Sequence, residues 1–207
     1  MNWILILVVL LVVLFQSAIF ILKEYERGVV LRLGRFASIR GPGLVVVIPF
    51  IDKLLRVDLR IITYDIPSQD VITRDNVSVK VNGVLLFKII EPDRAILQVE
   101  NFFAATSQYA QTTLRSVCGE AELDDLLSKR EELNMKIQEI IDQRTHSFGV
   151  KVVTVEIKQV DLPQEMQRAM AKQAEAERLR RSKIIQAEGE FQAAVKLTDA
   201  AKIMSAD

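Results

Sequence analysis

Histidine and cysteine are almost absent from this chain, which has one of each among 207 residues. A zinc site built from several histidines or cysteines is therefore excluded, and so is an intrachain disulfide. A cysteine–histidine nucleophile would require Cys118 and His146 to meet in the fold. We instead interpret Cys118, which lies in an apolar-periodic segment, as a buried structural thiol, and His146 as a cation at a helix end.

Motifs of catalysis and of phosphate binding are also missing. The sequence contains no Gly-x-Ser-x-Gly elbow, no dinucleotide fingerprint and no phosphate-binding loop. Neighbouring carboxylates such as Asp124 and Asp125 do not face each other on a helix, so they do not form an acid–base pair. We therefore expect no enzymatic activity, no cofactor and no metal. A membrane-bound hydrolase is the disfavoured alternative from a different functional class.

Neither sign of charge is in excess, because 27 lysines and arginines balance 27 aspartates and glutamates. A chain without net charge has no global field that attracts a nucleic acid. The basic run Arg178-Leu179-Arg180-Arg181 is interpreted as the solvated face of a helix. We therefore expect no nucleic-acid partner.

What the chain does contain is a long apolar run at its N-terminus. Between Trp3 and Leu22 only Gln16 and Ser17 are polar. Twenty apolar residues in a helix reach about 30 Å, the thickness of the hydrocarbon core of a bilayer. A secretory signal would need a basic start and a small-residue cleavage site, which are absent. We predict a transmembrane anchor at residues 1–22, with a buried core helix as the alternative.

The cations that follow this run indicate an orientation. No lysine or arginine precedes the run, whereas five follow it closely: Lys23, Arg27, Arg32, Arg35 and Arg40. The positive-inside rule then places the body of the protein in the cytoplasm. Trp3 and Tyr25 stand at the two ends of the run, where aromatic rings favour the membrane interface.

A second apolar stretch, Leu44 to Ile51, has two interpretations. It is either a core strand or a loop that dips into the headgroup region, with Arg35 and Arg40 on anionic lipid. The candidate membrane contacts are the apolar and aromatic residues of both stretches together with their flanking cations: Trp3, Leu22, Lys23, Tyr25, Arg35, Arg40, Leu44 and Phe50.

The hydrophobic period of the body changes from strand-like to helical and then back to strand-like. From Arg27 to about Ile90 the apolar residues alternate, which predicts short strands. After Pro92 they recur three and four residues apart, which predicts helices over 94–99, 102–118 and 123–145. Gly149 ends the helical region, and a strand is predicted over 150–160. The fold class is therefore α+β, with a β-rich first part at 23–92 and an α/β second part at 93–162.

A long helix is predicted from Pro163 to Ala206, since proline suits a first helical turn and only one glycine follows. Such a helix is too long and too polar to be buried against a small body, so we expect it to associate with copies of itself. Residues 163–207 are thus predicted to be an extended, coiled-coil-type oligomerisation helix. Its candidate contacts are Met166, Met170, Glu177, Arg181, Ile184, Ile185, Phe191 and Val195.

An ordered set of short motifs resembles the stomatins, and in particular the prokaryotic slipins, of the stomatin-prohibitin-flotillin (SPFH, or band 7) superfamily. The motifs run from Lys23 towards the C-terminus: Lys23-Glu24-Tyr25-Glu26-Arg27, Arg32-Leu33-Gly34-Arg35, Gly41-Pro42-Gly43-Leu44, Ile48-Pro49-Phe50-Ile51-Asp52, Asp65-Ile66-Pro67-Ser68-Gln69, Gln111-Thr112-Thr113-Leu114-Arg115, Arg130-Glu131-Glu132, Gly149-Val150-Lys151, Val155-Glu156-Ile157-Lys158 and Gln167-Arg168-Ala169-Met170-Ala171. The resemblance covers the chain beyond the apolar run.

This resemblance implies a fold and a role. The fold is a two-part membrane-proximal SPFH domain followed by helices that assemble into rings or cages. The role is a scaffold without enzymatic activity that organises membrane microdomains and modulates neighbouring membrane proteins. A NfeD-like protein, a protease or a channel is the implied partner, and a prokaryotic inner or plasma membrane is the implied location. The N-terminal run lacks the proline that gives vertebrate stomatins a hairpin, so a single straight span is expected.

The function expected from the sequence is therefore a membrane scaffold that oligomerises and confines lipid or partner proteins. Within the family, the alternative is a dedicated regulator that acts by contact on one protease or channel.

Overall fold

The computed structural model describes Trp3 and residues 18–204, with side chains at 195 and 198–204 outside the described set. The chain divides after Asp161 into two units, which are described separately below. The α+β class is confirmed, because the first unit combines antiparallel sheets with helices.

The first part of this unit consists of five short strands in two small antiparallel sheets. The strands are β1 (Ile19–Leu22), β2 (Glu26–Arg32), β3 (Arg35–Arg40), β4 (Gly43–Val46) and β5 (Asp52–Asp58). β1 pairs with β4, and β2 lies between β3 and β5. Inward-facing side chains of both sheets form a small apolar core, whose members are Leu22, Val30, Val45 and Val47 with Phe20 and Leu54 packed against them.

The predicted C-terminal end of the membrane anchor is wrong. Ile19–Leu22 is a strand rather than the last turn of a spanning helix, because Gly43–Val46 supplies its backbone partners and the small core buries Leu22. Residues 4–17 of the predicted anchor lie outside the described residues. In the part of the chain that the structure describes, no helix has the length and apolar character needed to cross a bilayer.

The second part of the unit is a three-stranded antiparallel sheet with helices packed on one face. Its strands are β6 (Ile62–Ile72), β7 (Ser78–Ile89) and β8 (Val150–Asp161), with β7 in the middle. Its helices are α1 (Pro92–Leu97), α2 (Phe102–Glu120), α3 (Leu123–Ser128) and α4 (Arg130–Thr145), followed by a 3-10 turn at His146–Phe148. The fully buried side chains between sheet and helices include Val81, Leu85, Phe87, Leu114, Ile137 and Ile141.

The single helix predicted over 123–145 is two helices. The break is at Lys129, whose backbone angles (φ −115°, ψ 41°) are not helical. The amide of Lys129 donates to the carbonyl of Asp125 and ends α3, and acidic residues in the first turn of α4 suit the start of a new helix. The apolar period continues across the break because both helices contribute to the same core, through Leu126 and Ile137.

The outer edge of β8 is closed by polar side chains of α4. An edge strand exposes backbone donors and acceptors that invite pairing with another chain. Here four side chains on one face of α4 bond to backbone atoms of β8, namely Asn134 to the amide of Ile157, Gln138 to the carbonyl of Val153, Asp142 to the amide of Val152 and Thr145 to the carbonyl of Val150. Between Val150 and Ile157 these bonds oppose the addition of a strand from a neighbouring chain.

Two buried threonine hydroxyls on α2 give a prediction of stability. The hydroxyls of Thr106 and Thr113 have no hydrogen-bond partner among the described residues. Because an unpaired buried hydroxyl costs about 1–3 kcal/mol of desolvation, we expect Thr113→Val to raise the free energy of unfolding by about 1 kcal/mol. Denaturant unfolding measures it. The same change at Thr145, whose buried hydroxyl donates to Val150, should destabilise, and equal effects at both sites would contradict the explanation.

The second unit contains helix α5 (Gln164–Met204), which has 41 residues. Its first turn is closed by the amide of Gln167, which donates to the carbonyl of Pro163. The predicted start and extent of a long C-terminal helix agree with this element. Met166, Met170 and Glu177 are half-buried, whereas Ile184, Ile185 and Phe191 are exposed.

Candidate functional site

The two-stranded β1–β4 sheet has apolar side chains on both faces. Alternation along the strands turns Phe20, Leu22 and Val45 towards the small core. The opposite face carries Ile21 and Val46, which are 71% and 62% exposed, and Leu44, which is 69% exposed and lies directly across from Ile21. A contiguous exposed apolar surface of this kind marks a site of contact with a membrane or another protein.

Two large apolar side chains project from strained backbone positions near this sheet. Leu33 (φ 49°) is 79% exposed at the β2–β3 turn, and Phe50 (φ 66°) is 96% exposed in the β4–β5 loop. Positive φ is unfavourable for bulky residues, and such strain often coincides with function. The two turns are neighbours, because the amide of Leu33 donates to the carbonyl of Ile51 over 2.9 Å.

The N-terminal apolar run joins the body beside the same loop. The carbonyl of Ala18 accepts a 2.8 Å hydrogen bond from the amide of Val47, which immediately follows β4. Chain entry, the Phe50 loop and the Leu33 turn therefore lie at one end of the first unit. We call the exposed residues of this end and of the β1–β4 sheet the apolar end, consisting of Ile21, Leu33, Leu44, Val46, Ile48 and Phe50.

Ion pairing fixes the backbone of the apolar end. Arg32 donates two hydrogen bonds to Asp52, of 2.8 and 3.1 Å, and Asp52 also accepts from the amide of Ile48. The Arg32 guanidinium and that amide hold the pKa of Asp52 below its usual value. Between residues 18 and 60 there are eight lysines and arginines against four acidic residues. This segment of the chain therefore carries a net positive charge.

The structure places the predicted membrane contacts in different environments. Leu44 and Phe50 both belong to the apolar end. Within the stretch Leu44 to Ile51, Val45 and Val47 are core residues, whereas Val46, Ile48, Phe50 and Ile51 are exposed. Contact of the exposed residues with a headgroup region stays a prediction. Leu22 was predicted as a contact and is buried in the small core, because it occupies the inward face of β1. That prediction is wrong.

The predicted aromatic and cationic contacts also lie in different surroundings. The ring of Tyr25 lies 4.1 Å from the guanidinium of Arg60 and 5.6 Å from the amine of Lys23, and the bond to Tyr25 raises the pKa of Lys23. Tyr25 is therefore engaged by protein cations. Trp3 is exposed. Arg35 pairs across from Arg32 beside the Leu33 turn, whereas Arg40 pairs across from Gly28 at the other end of β3.

Sequence reasoning missed Ile21, Leu33 and Val46 as surface residues. Ile21 and Val46 were hidden in apolar runs whose alternation has meaning only once the chain is known to be a strand. A partial signal for Leu33 was present, because a leucine–glycine pair between two alternating segments is a candidate tight turn; the structure shows that both residues have a positive φ.

Four of the predicted oligomerisation residues lie along one side of α5. Met170, Glu177, Ile184 and Phe191 follow each other seven residues apart, which places them on the same side of the helix. Glu177 accepts hydrogen bonds of 3.0 Å from Arg180 and from Arg181, and these guanidiniums lower its pKa. Glu177 and Arg181, both predicted as oligomerisation contacts, are therefore paired with each other within one helix. The side chain of Val195 lies outside the described residues.

The groups that could carry chemistry are placed as structural residues. Cys118 is fully buried in α2, and burial raises the pKa of its thiol to about 12, so it is not a nucleophile at neutral pH. His146 opens the 3-10 turn that follows α4. Among the residues that the structure describes, no three histidine, cysteine or acidic side chains are grouped to hold a metal ion.

Comparison with known proteins identifies the family. The model of the SPFH domain / Band 7 family matches residues 20–191, which is most of the chain. The chain is a member of this family. Within the SPFH family it is stomatin-like, since it is 55% identical to a stomatin homolog of Pyrococcus abyssi over 97% of this chain and 75% of the relative.

Other SPFH relatives extend from archaea to animals. An uncharacterised protein of Archaeoglobus fulgidus is 56% identical over 99% of this chain and 83% of its own length. Stomatin-1 of Caenorhabditis elegans is 44% identical over 89% of this chain and 56% of its own length. The resemblance to stomatins noted in the motifs is therefore confirmed over nearly the whole chain.

Proposed function

We propose that this stomatin-like SPFH protein is a membrane-attached scaffold without enzymatic activity, which assembles through its second unit and confines lipid or partner proteins. The observation that carries the proposal is the apolar end, where exposed aliphatic and aromatic side chains surround the point at which the N-terminal apolar run enters. Membership of the stomatin-like SPFH family supports the same role.

Attachment would have two components. The N-terminal run would span the bilayer once and leave the body in the cytoplasm, in accordance with the five cations that follow it. The apolar end would then lie against the headgroup region, with Phe50 and Leu33 inserted between lipids and cations around them. Such an arrangement joins apolar insertion to electrostatic attraction, the two terms that bind peripheral surfaces to anionic membranes.

Assembly would use α5. The side that carries Met170, Glu177, Ile184 and Phe191 leaves large apolar side chains exposed in a single copy, and a second copy of the helix would cover them. Rings or cages of such helices would gather lipid beneath them. The expected NfeD-like, protease or channel partner, and regulation of it by contact, rest on the family resemblance alone.

The test of attachment uses the boundary that the structure provides. Deleting residues 1–17 keeps β1, whereas deleting residues 1–22 would remove a strand and one wall of the small core. We expect the full chain to sediment with membranes in high salt, and the shortened chain to sediment only at low salt, since salt screens the cationic contribution. Adding Leu44→Ser and Phe50→Ser to the shortened chain should release most of it.

Ile72→Ser in the shortened chain is the matched control, because Ile72 is 63% exposed but lies in β6 of the other sheet. It should leave the membrane-bound fraction unchanged. The proposal fails if the full chain remains in the soluble fraction. The role of the apolar end fails if the Leu44 and Phe50 changes have no more effect than Ile72→Ser.

A further inference from the structure

A shallow cleft of about 390 Å³ lies where β3 ends and β4 begins. It is lined by Arg40, the Gly41-Pro42 turn and Leu44, Val45 and Val46 of β4. Arg40 is the charged residue of this lining, and Leu44 and Val46 form its aliphatic wall, although the polar share of the lining surface is the larger. The backbone between them leaves room, since a side chain added at Gly41 or Gly43 would meet no atom within 4 Å.

Arg40, like Arg35, differs from the other arginines of the β-rich part in having no side-chain partner among the described residues. Arg32 and Arg60 each donate to an aspartate, Arg27 donates to backbone carbonyls, and Arg56 lies over the ring of Phe20. Arg40 has no hydrogen bond, ion pair or ring contact among the described residues. Its charge reaches Asp52 only at longer range, where it contributes to the lowered pKa of that carboxyl.

Arg35 is a useful comparison for Arg40, because both are arginines of strand β3. It is an exposed cation on the same strand, and it too has no partner among the described residues. Arg35, however, lines no part of the cleft, whereas Arg40 does. A position in the lining of the cleft is therefore what distinguishes Arg40 from an ordinary exposed cation of the surface.

The aliphatic wall of the cleft continues onto the exposed face of the β1–β4 sheet. Leu44 and Val46 belong to both, and Ile21 lies across from Leu44 on β1. A ligand that fits must combine an anionic group beside Arg40 with an apolar chain long enough to follow this face. An acidic peptide carries the anionic group but has no long apolar chain to follow this face.

We propose that the Arg40 cleft binds the headgroup of an anionic phospholipid, with the phosphate on the Arg40 guanidinium and an acyl chain along Leu44 and Val46. Arginine suits this role because its planar guanidinium can donate two parallel hydrogen bonds to phosphate oxygens. The inference rests on the proposed membrane attachment and adds a lipid class to it. The charge of the lipid headgroup would then be recognised at one defined residue, Arg40, at the edge of the apolar end.

The test measures headgroup binding separately from membrane attachment. The full chain, purified in a neutral detergent, is titrated by calorimetry with dihexanoyl-phosphatidylglycerol, dihexanoyl-phosphatidylcholine, inorganic phosphate and a short polyglutamate peptide. We expect phosphatidylglycerol to bind tightest. Arg40→Gln should weaken that binding about tenfold, the effect of losing a charge-assisted hydrogen bond. Leu44→Ser should weaken both lipids, since it alters the wall that follows the acyl chain.

Lys53→Gln is the matched control, because it removes one exposed positive charge of the β-rich part at a residue that lies outside the cleft and is not a predicted membrane contact. It should leave the affinity for phosphatidylglycerol within about twofold, well short of the tenfold effect of a lost charged contact. Equal losses in both variants would overturn the site in favour of diffuse attraction. Equal affinity for the two lipids would overturn the reading of lipid charge. Tighter binding of phosphate or of the peptide would replace the lipid as occupant.

Failure of this inference is distinguishable from failure of the proposed function. If Arg40→Gln leaves lipid binding intact while the full chain still sediments with membranes, only the cleft assignment is lost. If the unaltered full chain does not sediment with membranes, the proposed attachment itself is lost. Thermal unfolding followed by circular dichroism shows whether each variant retains the fold, and Arg40→Lys should recover part of the affinity because it restores the charge.

Discussion

Proline in place of Ile185 is expected to break α5 near its middle and to reduce the size of the assembled particle. Ile185 is exposed on a helix of 41 residues, so the change removes little packing within one chain. Proline does remove a backbone hydrogen bond and clashes with the preceding turn, at a cost of about 3 kcal/mol or more. In an assembly this cost recurs in every copy, so the particles should become smaller or heterogeneous.

The measurement is the mass of detergent-extracted particles, followed by imaging. Ile185→Ala is the control, since it removes the apolar side chain but favours helix. It should preserve particle size better than proline does. The first unit should stay folded in both variants, which its denaturant unfolding reports. Unchanged particle size with proline would mean that the first unit alone carries assembly, and α5 would lose its proposed role.

Valine in place of Gly149 is expected to cause the largest loss of stability in the first unit. Gly149 has a φ of 71°, and a side chain there would approach the carbonyl oxygen of Glu91 to 2.4 Å. The Gly149 carbonyl also accepts from the amides of Ile90 and Glu91, so this contact joins the start of β8 to the start of α1. Backbone strain and the clash together should lower the free energy of unfolding by roughly 3 kcal/mol or more.

Two other glycines separate strain from clash. Gly34 has a φ of 81° but open space around it, so Gly34→Ala should cost only about 1 kcal/mol of strain. Gly41 has neither feature, and Gly41→Ala should change stability by less than about 0.5 kcal/mol. Denaturant unfolding of the three variants gives the order. A Gly149→Val protein as stable as Gly34→Ala would show that the Glu91 segment moves aside easily.

The alternating and helical periods in the sequence were sufficient for most of the second part of the body. Val79 and Val81 face the core, as the alternation of the strand segment predicts, and the helix that begins at Phe102 begins where its period does. Local rules suffice here because one apolar face meets one core. The break at Lys129 escaped prediction, since the two helices on either side bury side chains in that same core and leave no gap in the period.

Family membership was also available from the sequence, because the stomatin motifs are short, local and ordered along the chain. The candidate surface was available only in part. Leu44 and Phe50 were identified from an apolar stretch, but the stretch alone did not show which of its residues face outward. Only pairing of Gly43–Val46 with Ile19–Leu22 separates Val45, inside, from Leu44 and Val46, outside.

Composition therefore excluded a zinc site of several histidines or cysteines and an intrachain disulfide. Periodicity with local motifs determined the family, the α+β class and the long C-terminal helix. Only the tertiary structure determined that Ile19–Leu22 is a strand, because an apolar run is compatible with a helix or a strand until a backbone partner is present. It also decided that Arg32 is held by Asp52 while Arg40 lies open in a cleft. The physical reason is common to both: hydrogen-bond and charge partners come from residues distant in the chain, which no local pattern records.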